Sequence, residues 1–146
     1  MKNLTVKNYT KEEGQKMNIN GAEFILKEIV PSSEISKCHA NFVEVEPGHF
    51  AYGYHWHEIN EEVFYIIKGT AAVRTKDGEI TLHEGDAVTF PAGPEGTHVI
   101  RNASETEKLV YLDFGTESPL EAAHFPDIHK ILLVGPLTKG FTDDVR

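Results

Sequence analysis

The sequence is poor in cysteine and in positive charge, and it contains no long hydrophobic run. Its one cysteine, Cys38, cannot form an intrachain disulfide, so nothing indicates an oxidising compartment. Lysine and arginine number 14 against 23 aspartate and glutamate residues, which gives a net charge of −9. An acidic surface without a basic cluster repels phosphate backbones and anionic lipid headgroups, so neither nucleic acid nor a membrane is an expected partner. No apolar stretch approaches the roughly 20 residues that span a bilayer.

What remains is the composition of an ordinary soluble domain. The 146 residues suit one domain, and 40% of them are hydrophobic and 25% charged. Residues 1–21 are polar and rich in lysine, and they lack the apolar segment of a signal peptide. We therefore expect a cytoplasmic protein with an N-terminal arm over residues 1–20 and a single domain over residues 21–146.

Short β-type segments separated by turn signals occupy most of the chain. Asp77-Gly78 is a strong hairpin signal, because glycine accepts the positive φ angle of a tight turn. Pro91–Gly96, with two prolines and two glycines, predicts a stiff loop. Such regular punctuation predicts an all-β barrel or jelly roll. The predicted strands are Glu23–Val30, Lys37–Glu46, Gly53–Glu58, Val63–Lys68, Ala71–Thr75, Glu79–Leu82, Ala87–Phe90, Thr97–Asn102 and Lys108–Phe114, the first of them ending at Pro31.

The C-terminal part of the sequence has a different pattern. Ser118-Pro119 is a good helix start, so we expect a short helical turn over Leu120–His124 before the next proline. Ile131–Val134 is too short an apolar run to assign, and a strand or a short helix fits equally well. Thr138–Arg146 is expected to be frayed.

Histidines are frequent, and two of them form the pair His55-Trp56-His57. Side chains at positions i and i+2 of a strand lie on one face, so two imidazoles can point at one ion. Alone the pair is a weak signal, because two solvated or hydrogen-bonded histidines fit it as well. The context adds Glu62 five positions later and His98 on a later segment. Imidazole and carboxylate together form a normal ligand set for a first-row transition metal.

The segment around this pair resembles the first conserved motif of the cupin superfamily. The motif G(X)5HXH(X)3–4E(X)6G reads here from Gly48 through His55, His57 and Glu62 to Gly69. One extra residue precedes His55, and a bulge or a longer turn would absorb it. The HXH pattern occurs once, which resembles a single-domain cupin.

A later segment resembles the second cupin motif, G(X)5PXG(X)2H(X)3N. It reads here from Gly85 through Pro91, Gly93 and His98 to Asn102, with two extra residues before the histidine. The longer loop leaves the direction of His98 open, while the retained spacing to Asn102 supports the match. The resemblance extends over residues 23–114, with its motif core at residues 48–102.

The resemblance implies a cupin-type double-stranded β-helix, or jelly-roll barrel, with one metal site. The ligands it implies are His55, His57, Glu62 and His98. Glu61 is the alternative to Glu62, because the motif permits three or four residues before the glutamate; the step to the next motif glycine favours Glu62. The implied cofactor is one divalent transition metal, and Fe, Mn, Ni, Zn and Cu all suit such donors.

The function implied by the resemblance is that of a metal-dependent enzyme on a small polar molecule. Dioxygenases, isomerases, epimerases, decarboxylases and lyases are all candidates, since an open metal site supports each of these reactions. The alternative is a non-catalytic small-molecule-binding or regulatory module, because the sequence shows no acid or base beyond the implied ligands. The resemblance also implies a homodimer, in which the N-terminal arm could add an edge strand to a neighbour.

Strand alternation predicts the surroundings of the site. If the ligands face inward, so do Phe64, Ile66 and Ile100. Core packing is the favoured role for Tyr52 and the other aromatic residues. Among the remaining histidines, His39 is expected in the core or at an interface, and His83, His124 and His129 at the surface.

Overall fold

The structure is a computed structural model that describes residues 4–30 and 37–146, and strands dominate it. Two single turns of 3-10 helix, at Pro94–Gly96 and Pro126–Ile128, are the helical segments of this described part. None of its helical segments is long and apolar enough to cross a bilayer. The strands are β1 (Gln15–Ile19), β2 (Ala22–Glu28), β3 (Cys38–Val45), β4 (Phe50–His57), β5 (Glu62–Lys68), β6 (Ala71–Thr75), β7 (Gly78–Leu82), β8 (Ala87–Phe90), β9 (His98–Asn102), β10 (Leu109–Thr116), β11 (Glu121–Phe125), β12 (Lys130–Val134) and β13 (Lys139–Asp143).

The strands form two antiparallel sheets that share one core. The first sheet has the order β1-β2-β3-β10-β5-β8, and the second has the order β13-β12-β11-β4-β9-β6-β7. Alternate side chains of each strand face the core, as in β5, where Phe64 and Ile66 are buried and Tyr65 is exposed. Val73 and Ile100 of the second sheet belong to the same core cluster. This arrangement confirms the predicted all-β jelly-roll fold and the inward positions of Phe64, Ile66 and Ile100.

Each of the nine predicted strands corresponds to a strand of the structure, with ends that shift by a few residues. The largest shift is at β4, which begins at Phe50 and not at Gly53. The sequence signal was interrupted there by Tyr52-Gly53, which the structure places in a bulge. Pro31, the predicted end of the first strand, lies outside the described residues.

Two predictions for the C-terminal part are wrong. Leu120–His124 was predicted as a helical turn, but β11 occupies this segment, because it pairs with β12 on one side and with β4 on the other. The helical turn that does occur follows it, at Pro126–Ile128. Thr138–Arg146 was expected to be frayed, yet β13 pairs with β12 over five residues. Ile131–Val134, for which a strand and a short helix fitted the sequence equally well, belongs to β12.

The N-terminal segment joins the first sheet. β1 pairs with β2 of its own chain through a tight hairpin at Asn20-Gly21. Both turn residues have positive φ angles, 51° and 87°, as a two-residue hairpin of type I′ requires. The arm therefore covers an edge of its own sheet, while the division of the chain at residue 20 stays a prediction.

Candidate metal centre and neighbouring acid–base cluster

Three imidazoles and one carboxylate converge between the two sheets. His55 and His57 come from β4, Glu62 opens β5 and His98 opens β9. Glu62 Oε2 lies 3.8 Å from His55 Nε2, 3.5 Å from His57 Nε2 and 3.3 Å from His98 Nε2. The structure thus brings together all four residues that the sequence singled out. The alternative glutamate, Glu61, is exposed.

Backbone carbonyls orient two of the imidazoles. His55 Nδ1 lies 2.8 Å from the Gly53 carbonyl oxygen, and His98 Nδ1 lies 2.8 Å from the Gly96 carbonyl oxygen. An Nδ1–H group that donates to a carbonyl leaves the Nε2 lone pair free to face Glu62. Burial, with the neighbouring His98, lowers the pKa of His55 to about 3, so its ring is neutral as a metal ligand must be.

Several polar atoms in this cluster are buried without a hydrogen-bond partner among the described residues. They include Glu62 Oε2, His98 Nε2 and both ring nitrogens of His57. Leaving such an atom unpaired costs about 1–3 kcal/mol. A cation at the common centre would give Glu62 Oε2 and the Nε2 atoms of His57 and His98 a partner. Candidate ligand atoms of His55, Glu62 and His98 lie within 4.8 Å of one another, and this closest group does not include His57. The donor set therefore fits a divalent transition metal.

Glu62 and the imidazoles around it shift one another's pKa values. Burial alone would raise the pKa of the Glu62 carboxyl, but His57 and His98 outweigh burial and hold that pKa well below its usual range. For His57, burial would lower the pKa, and Glu62 and Glu121 outweigh it and raise the pKa. In the metal-free protein the ionised Glu62 carboxylate thus pairs with a protonated imidazole, whose proton a metal ion would have to displace.

A bulge in β4 absorbs the extra residue of the first motif. In the pairing of β4 with β9, Ala51 is opposite Ile100 and His55 is opposite His98, so four steps along β4 match two along β9. Tyr52 adopts a positive φ of 63°, which is strained for a bulky side chain. Bulges bend a strand and redirect its side chains, and this one keeps His55 in the cluster.

The two extra residues of the second motif form a 3-10 turn, and His98 points into the cluster. This turn occupies Pro94–Gly96, and the Gly93 N–H donates a hydrogen bond of 2.8 Å to the His57 carbonyl. A Cβ atom at Gly96 would lie 2.0 Å from the Pro91 carbonyl oxygen, so only glycine fits there. This loop therefore links β4, which contains His57, to β9, which contains His98.

Glu121, which the sequence did not single out, supports the loop between β4 and β5. Its buried carboxylate accepts hydrogen bonds from the backbone N–H groups of residues 58–60 and of Ala122, at 2.6–3.1 Å. Its Oε2 atom also lies 3.8 Å from His57 Nδ1, on the side of the ring away from Glu62. No pattern in the sequence indicates this role, because Glu121 lies in a segment predicted to be helical.

A second cluster of polar groups, also missed from the sequence, lies beside Glu62. His39 donates from Nε2 to Asp113 Oδ1 at 3.0 Å and from Nδ1 to Glu117 Oε1 at 2.9 Å. The Tyr52 hydroxyl lies close enough to Asp113 for that carboxylate to raise its pKa. Candidate ligand atoms of His39, Glu62 and Asp113 lie within 4.8 Å of one another. Tyr52 packs against the core, as expected, and also lines the cleft. His39, expected in the core or at an interface, lines the cleft as well.

The pKa values of His39, Asp113 and Tyr52 in this second cluster differ from the ordinary values of these side chains. Burial alone would lower the pKa of His39, but the hydrogen bonds to Asp113 and Glu117 raise it to about 10. Burial raises the pKa of the Asp113 carboxyl, and His39 opposes this increase. Burial and the Asp113 charge raise the pKa of Tyr52 well above 10, so its hydroxyl stays a neutral donor.

A cleft of about 350 Å³ leads from both clusters to the surface. Its wall combines carboxylates with apolar side chains. Among the described residues, Lys139 is the one lysine or arginine that lines it. A larger hollow of about 540 Å³ between Ile59 and Leu137 contains none of the four converging residues. Another hollow, of about 510 Å³, shares His57, Glu117 and Lys139 with the smaller cleft. The smaller cleft is lined by three of the four converging residues, His55, His57 and Glu62, and so gives the most direct access to the site.

His124 was predicted at the surface, and this prediction is wrong. Its side chain is buried and stacks on Trp56, with ring centroids 4.0 Å apart and planes within 5°. Its Nε2 atom lies 2.7 Å from Glu58 Oε1. The pairing of β11 with β4 creates this burial, which a misassigned helical turn could not reveal. His83 and His129 are exposed, as predicted.

The chain is an antiparallel jelly roll in which three histidines and a glutamate converge between the sheets. These features are typical of one class of β-barrel proteins. Residues 41–115, more than half of the chain, match the family model described as "Cupin domain". The chain therefore belongs to the cupin family.

Solved structures of bacterial cupin-fold proteins resemble 78–98% of this chain. A protein from Acidithiobacillus ferrooxidans, named as a candidate sugar phosphate isomerase, is 25% identical over 98% of this chain and 94% of that chain, with a TM-score of 0.85. A sugar phosphate isomerase from Silicibacter pomeroyi is 20% identical over 95% of this chain and 92% of that chain, with a TM-score of 0.83. A predicted oxalate decarboxylase from Thermotoga maritima is 18% identical over 78% of this chain and 100% of that chain, with a TM-score of 0.67. A comparison with curated protein sequences finds no match.

Proposed function

We propose that this protein is a metal-dependent enzyme in which His55, His57, Glu62 and His98 bind one divalent transition metal. The observation that carries the proposal is the convergence of buried, unpaired donor atoms on Glu62 Oε2. Nitrogen and oxygen donors without thiolate suit Fe, Mn, Ni, Zn or Cu.

The reaction we propose is the isomerisation of a small hydroxy aldehyde or hydroxy ketone, such as a sugar phosphate. A bound metal would polarise the carbonyl group of such a compound as a Lewis acid. The similarity to the Acidithiobacillus ferrooxidans protein supports this choice, because it extends over nearly the whole of both chains. Lys139 at the cleft suits an anionic group at the far end of the substrate.

The alternative of a non-catalytic binding module has less support. Its motivation was the lack of an acid or base beyond the implied ligands. Asp113 and His39 now lie beside Glu62 in the same cleft, and they are groups of the kind that acid–base chemistry uses. Ligand binding without turnover remains the outcome that would favour the module.

Two adjacent glutamates give a sharp test of the metal site. We expect elemental analysis of untagged wild-type protein to find about one transition metal per chain. Glu62→Gln should lose most of this metal, since the carboxylate is the common neighbour of three imidazoles. Glu61→Gln, one position away and exposed, is the matched control and should retain it. Loss of metal in Glu61→Gln alone would contradict the ligand assignment.

The reaction is tested on the metal-loaded protein with paired substrates. Ketoses and aldoses are offered with and without a terminal phosphate, and their interconversion is followed by nuclear magnetic resonance. We expect turnover of at least one sugar, with the phosphorylated form preferred and the preference reduced in Lys139→Gln. Stabilisation of the protein by these sugars without any interconversion would instead support the binding module.

A further inference from the structure

A chain of hydrogen-bonded groups leads from the candidate metal centre to solvent. Tyr52 and His39 both contact Asp113, and His39 continues to Glu117. The exposed fraction of the side chains rises along this chain, from 4% for Asp113 to 14% for His39 and 35% for Glu117. The inner end is therefore buried beside Glu62, and the outer end is open to water.

Both ring nitrogens of His39 are used within this chain. Nε2 lies 3.0 Å from Asp113 Oδ1 and Nδ1 lies 2.9 Å from Glu117 Oε1, so each N–H has a carboxylate acceptor. A histidine that donates from both nitrogens has no lone pair left for a metal ion. The group formed by His39, Glu62 and Asp113 is thus better suited to moving protons than to holding a second metal.

The backbone holds this cluster firmly in place. β3 and β10 are paired along their whole length, with His39 opposite Gly115 and Asn41 opposite Asp113. A Cβ atom at Gly115 would lie 2.5 Å from His39 Cε1, so the absence of a side chain there makes room for the imidazole. Tyr52 reaches the cluster from the strained bulge of β4.

We propose that Asp113 is the general acid–base catalyst for isomerisation of a small hydroxy aldehyde or hydroxy ketone, and that His39 and Tyr52 position it. The assignment rests on the proposed function of the metal centre. Asp113 lines the cleft, is buried next to Glu62, and is the carboxylate of the second cluster that would face a carbonyl compound bound at the metal.

The isomerisation needs no reactant besides the substrate and the Asp113 carboxylate. The Asp113 carboxylate takes the proton from the carbon that bears the hydroxyl group, and the C–H electron pair becomes the C=C bond of an enediol. The former carbonyl oxygen receives the proton of the neighbouring hydroxyl group. Asp113 then returns its proton to the former carbonyl carbon as the second oxygen forms the new C=O bond. Such proton transfers by a positioned side chain contribute about 10²–10⁴-fold to the rate.

Deuterium incorporation from D₂O is the experiment that tests this role. The probes are dihydroxyacetone, ribulose and their monophosphates, added to the full-length protein loaded with Mn(II), Fe(II) or Zn(II). Proton resonance then measures exchange at the carbon next to the carbonyl. We expect exchange with wild type and a decrease of at least about 100-fold in Asp113→Asn. Glu79→Gln, a carboxylate paired with Arg101 on the second sheet, is the control and should exchange like wild type.

Metal content and probe binding separate the catalytic role from a structural one. In Asp113→Asn, elemental analysis should find the wild-type amount of metal, and the probe should raise the melting temperature as in wild type. Asp113→Glu, which keeps the carboxylate, should recover part of the exchange. In His39→Gln we expect slower exchange with unchanged probe affinity, as for a positioning residue.

The possible failures are distinguishable. Wild-type exchange that persists unchanged in Asp113→Asn would overturn the role of Asp113 and leave the isomerase proposal standing. A second equivalent of metal that Asp113→Asn removes would show a second metal site instead. A wild type that binds metal but exchanges none of the probes would overturn the proposed reaction and this role together.

Discussion

His39 is held between two carboxylates, and this placement links its protonation to the stability of the protein. Because the pKa is raised from 6.5 to about 10, the stabilising charge pairs are fully present below pH 6.5 and are lost as the pH rises towards 10. We expect His39→Gln to lower the free energy of unfolding of the metal-free protein by about 2 kcal/mol at pH 6. The difference should shrink by pH 10.

Urea unfolding of both proteins at the two pH values provides the measurement. His83→Gln, an exposed histidine outside the clusters, is the control and should change little at either pH. A loss of stability in His39→Gln that is the same at pH 6 and pH 10 would contradict the ion-pair interpretation.

The residues of the site differ in how well the sequence revealed them. The HXH pair and the family spacing singled out His55, His57, Glu62 and His98, while the longer second loop left the direction of His98 open. Their role as metal ligands stays a prediction. The contact of His39 with Asp113 joins positions 74 residues apart, and it depends on the register of β3 against β10. No local pattern specifies that register, so sequence reasoning could not find the second cluster.

At the scale of elements, the loop between β4 and β5 depends on one carboxylate of β11. Glu121 satisfies the N–H groups of residues 58–60 and lies next to His57. Glu121→Gln replaces an acceptor oxygen with a donor amide and leaves part of these N–H groups unpaired. We expect metal affinity to fall about 10–100-fold, as is usual when a group that orients a ligand is removed.

Competition with a chelator of known affinity measures this effect. Glu105→Gln, an exposed carboxylate on another loop, should bind metal as wild type does. Unchanged affinity in Glu121→Gln would show that His57 needs no support from β11.

The loop before His98 is a second element whose packing controls a ligand. Gly96→Ala would bring a Cβ atom to 2.0 Å from the Pro91 carbonyl oxygen, a backbone atom that cannot move aside easily. We expect a loss of about 1–3 kcal/mol in stability and a lower metal content, since Gly96 also accepts the hydrogen bond of His98.

Melting temperature and elemental analysis together check this expectation. Gly140→Ala is the matched control, because a Cβ atom there meets nothing within 4 Å. A Gly96→Ala protein with wild-type stability and metal content would show that the loop can shift without cost.

Elements punctuated by turns were predictable, and the C-terminal ones were not. Asp77-Gly78 and Pro91–Gly96 marked strand ends through chemistry that is local to the chain. Ser118-Pro119 also gave a local signal, for a helix, but the pairing of β11 with β4 outweighed it. All five residues of β13 are exposed, and the strand pairs with β12 through its backbone. Its sequence therefore has no hydrophobic alternation from which a strand could be predicted.

At the scale of the whole molecule, the outer face of the first sheet carries exposed apolar side chains. Val63 and Phe114 are paired neighbours on this face and Tyr65 lies next along β5, and each is 37–44% exposed. The homodimer stays a prediction, and this face is where we expect its contact. Light scattering should give a dimer for wild type at micromolar concentration and a monomer for Phe114→Glu. A monomeric wild type would remove the prediction.

The hairpin of β12 and β13 and the segments that orient His55 and His98 contribute different residues to the site. His55 and His98 each donate to a carbonyl two residues earlier, whereas the hairpin of β12 and β13 contributes Leu132 and Lys139 to the cleft and no residue to the metal centre. The hairpin therefore adds to a cleft wall that also includes His55, His57 and Glu62 themselves. We therefore expect Leu132 and Lys139 to be places where substitution alters the lining of the cleft without displacing the four converging side chains, as suits a fold that hosts many reactions.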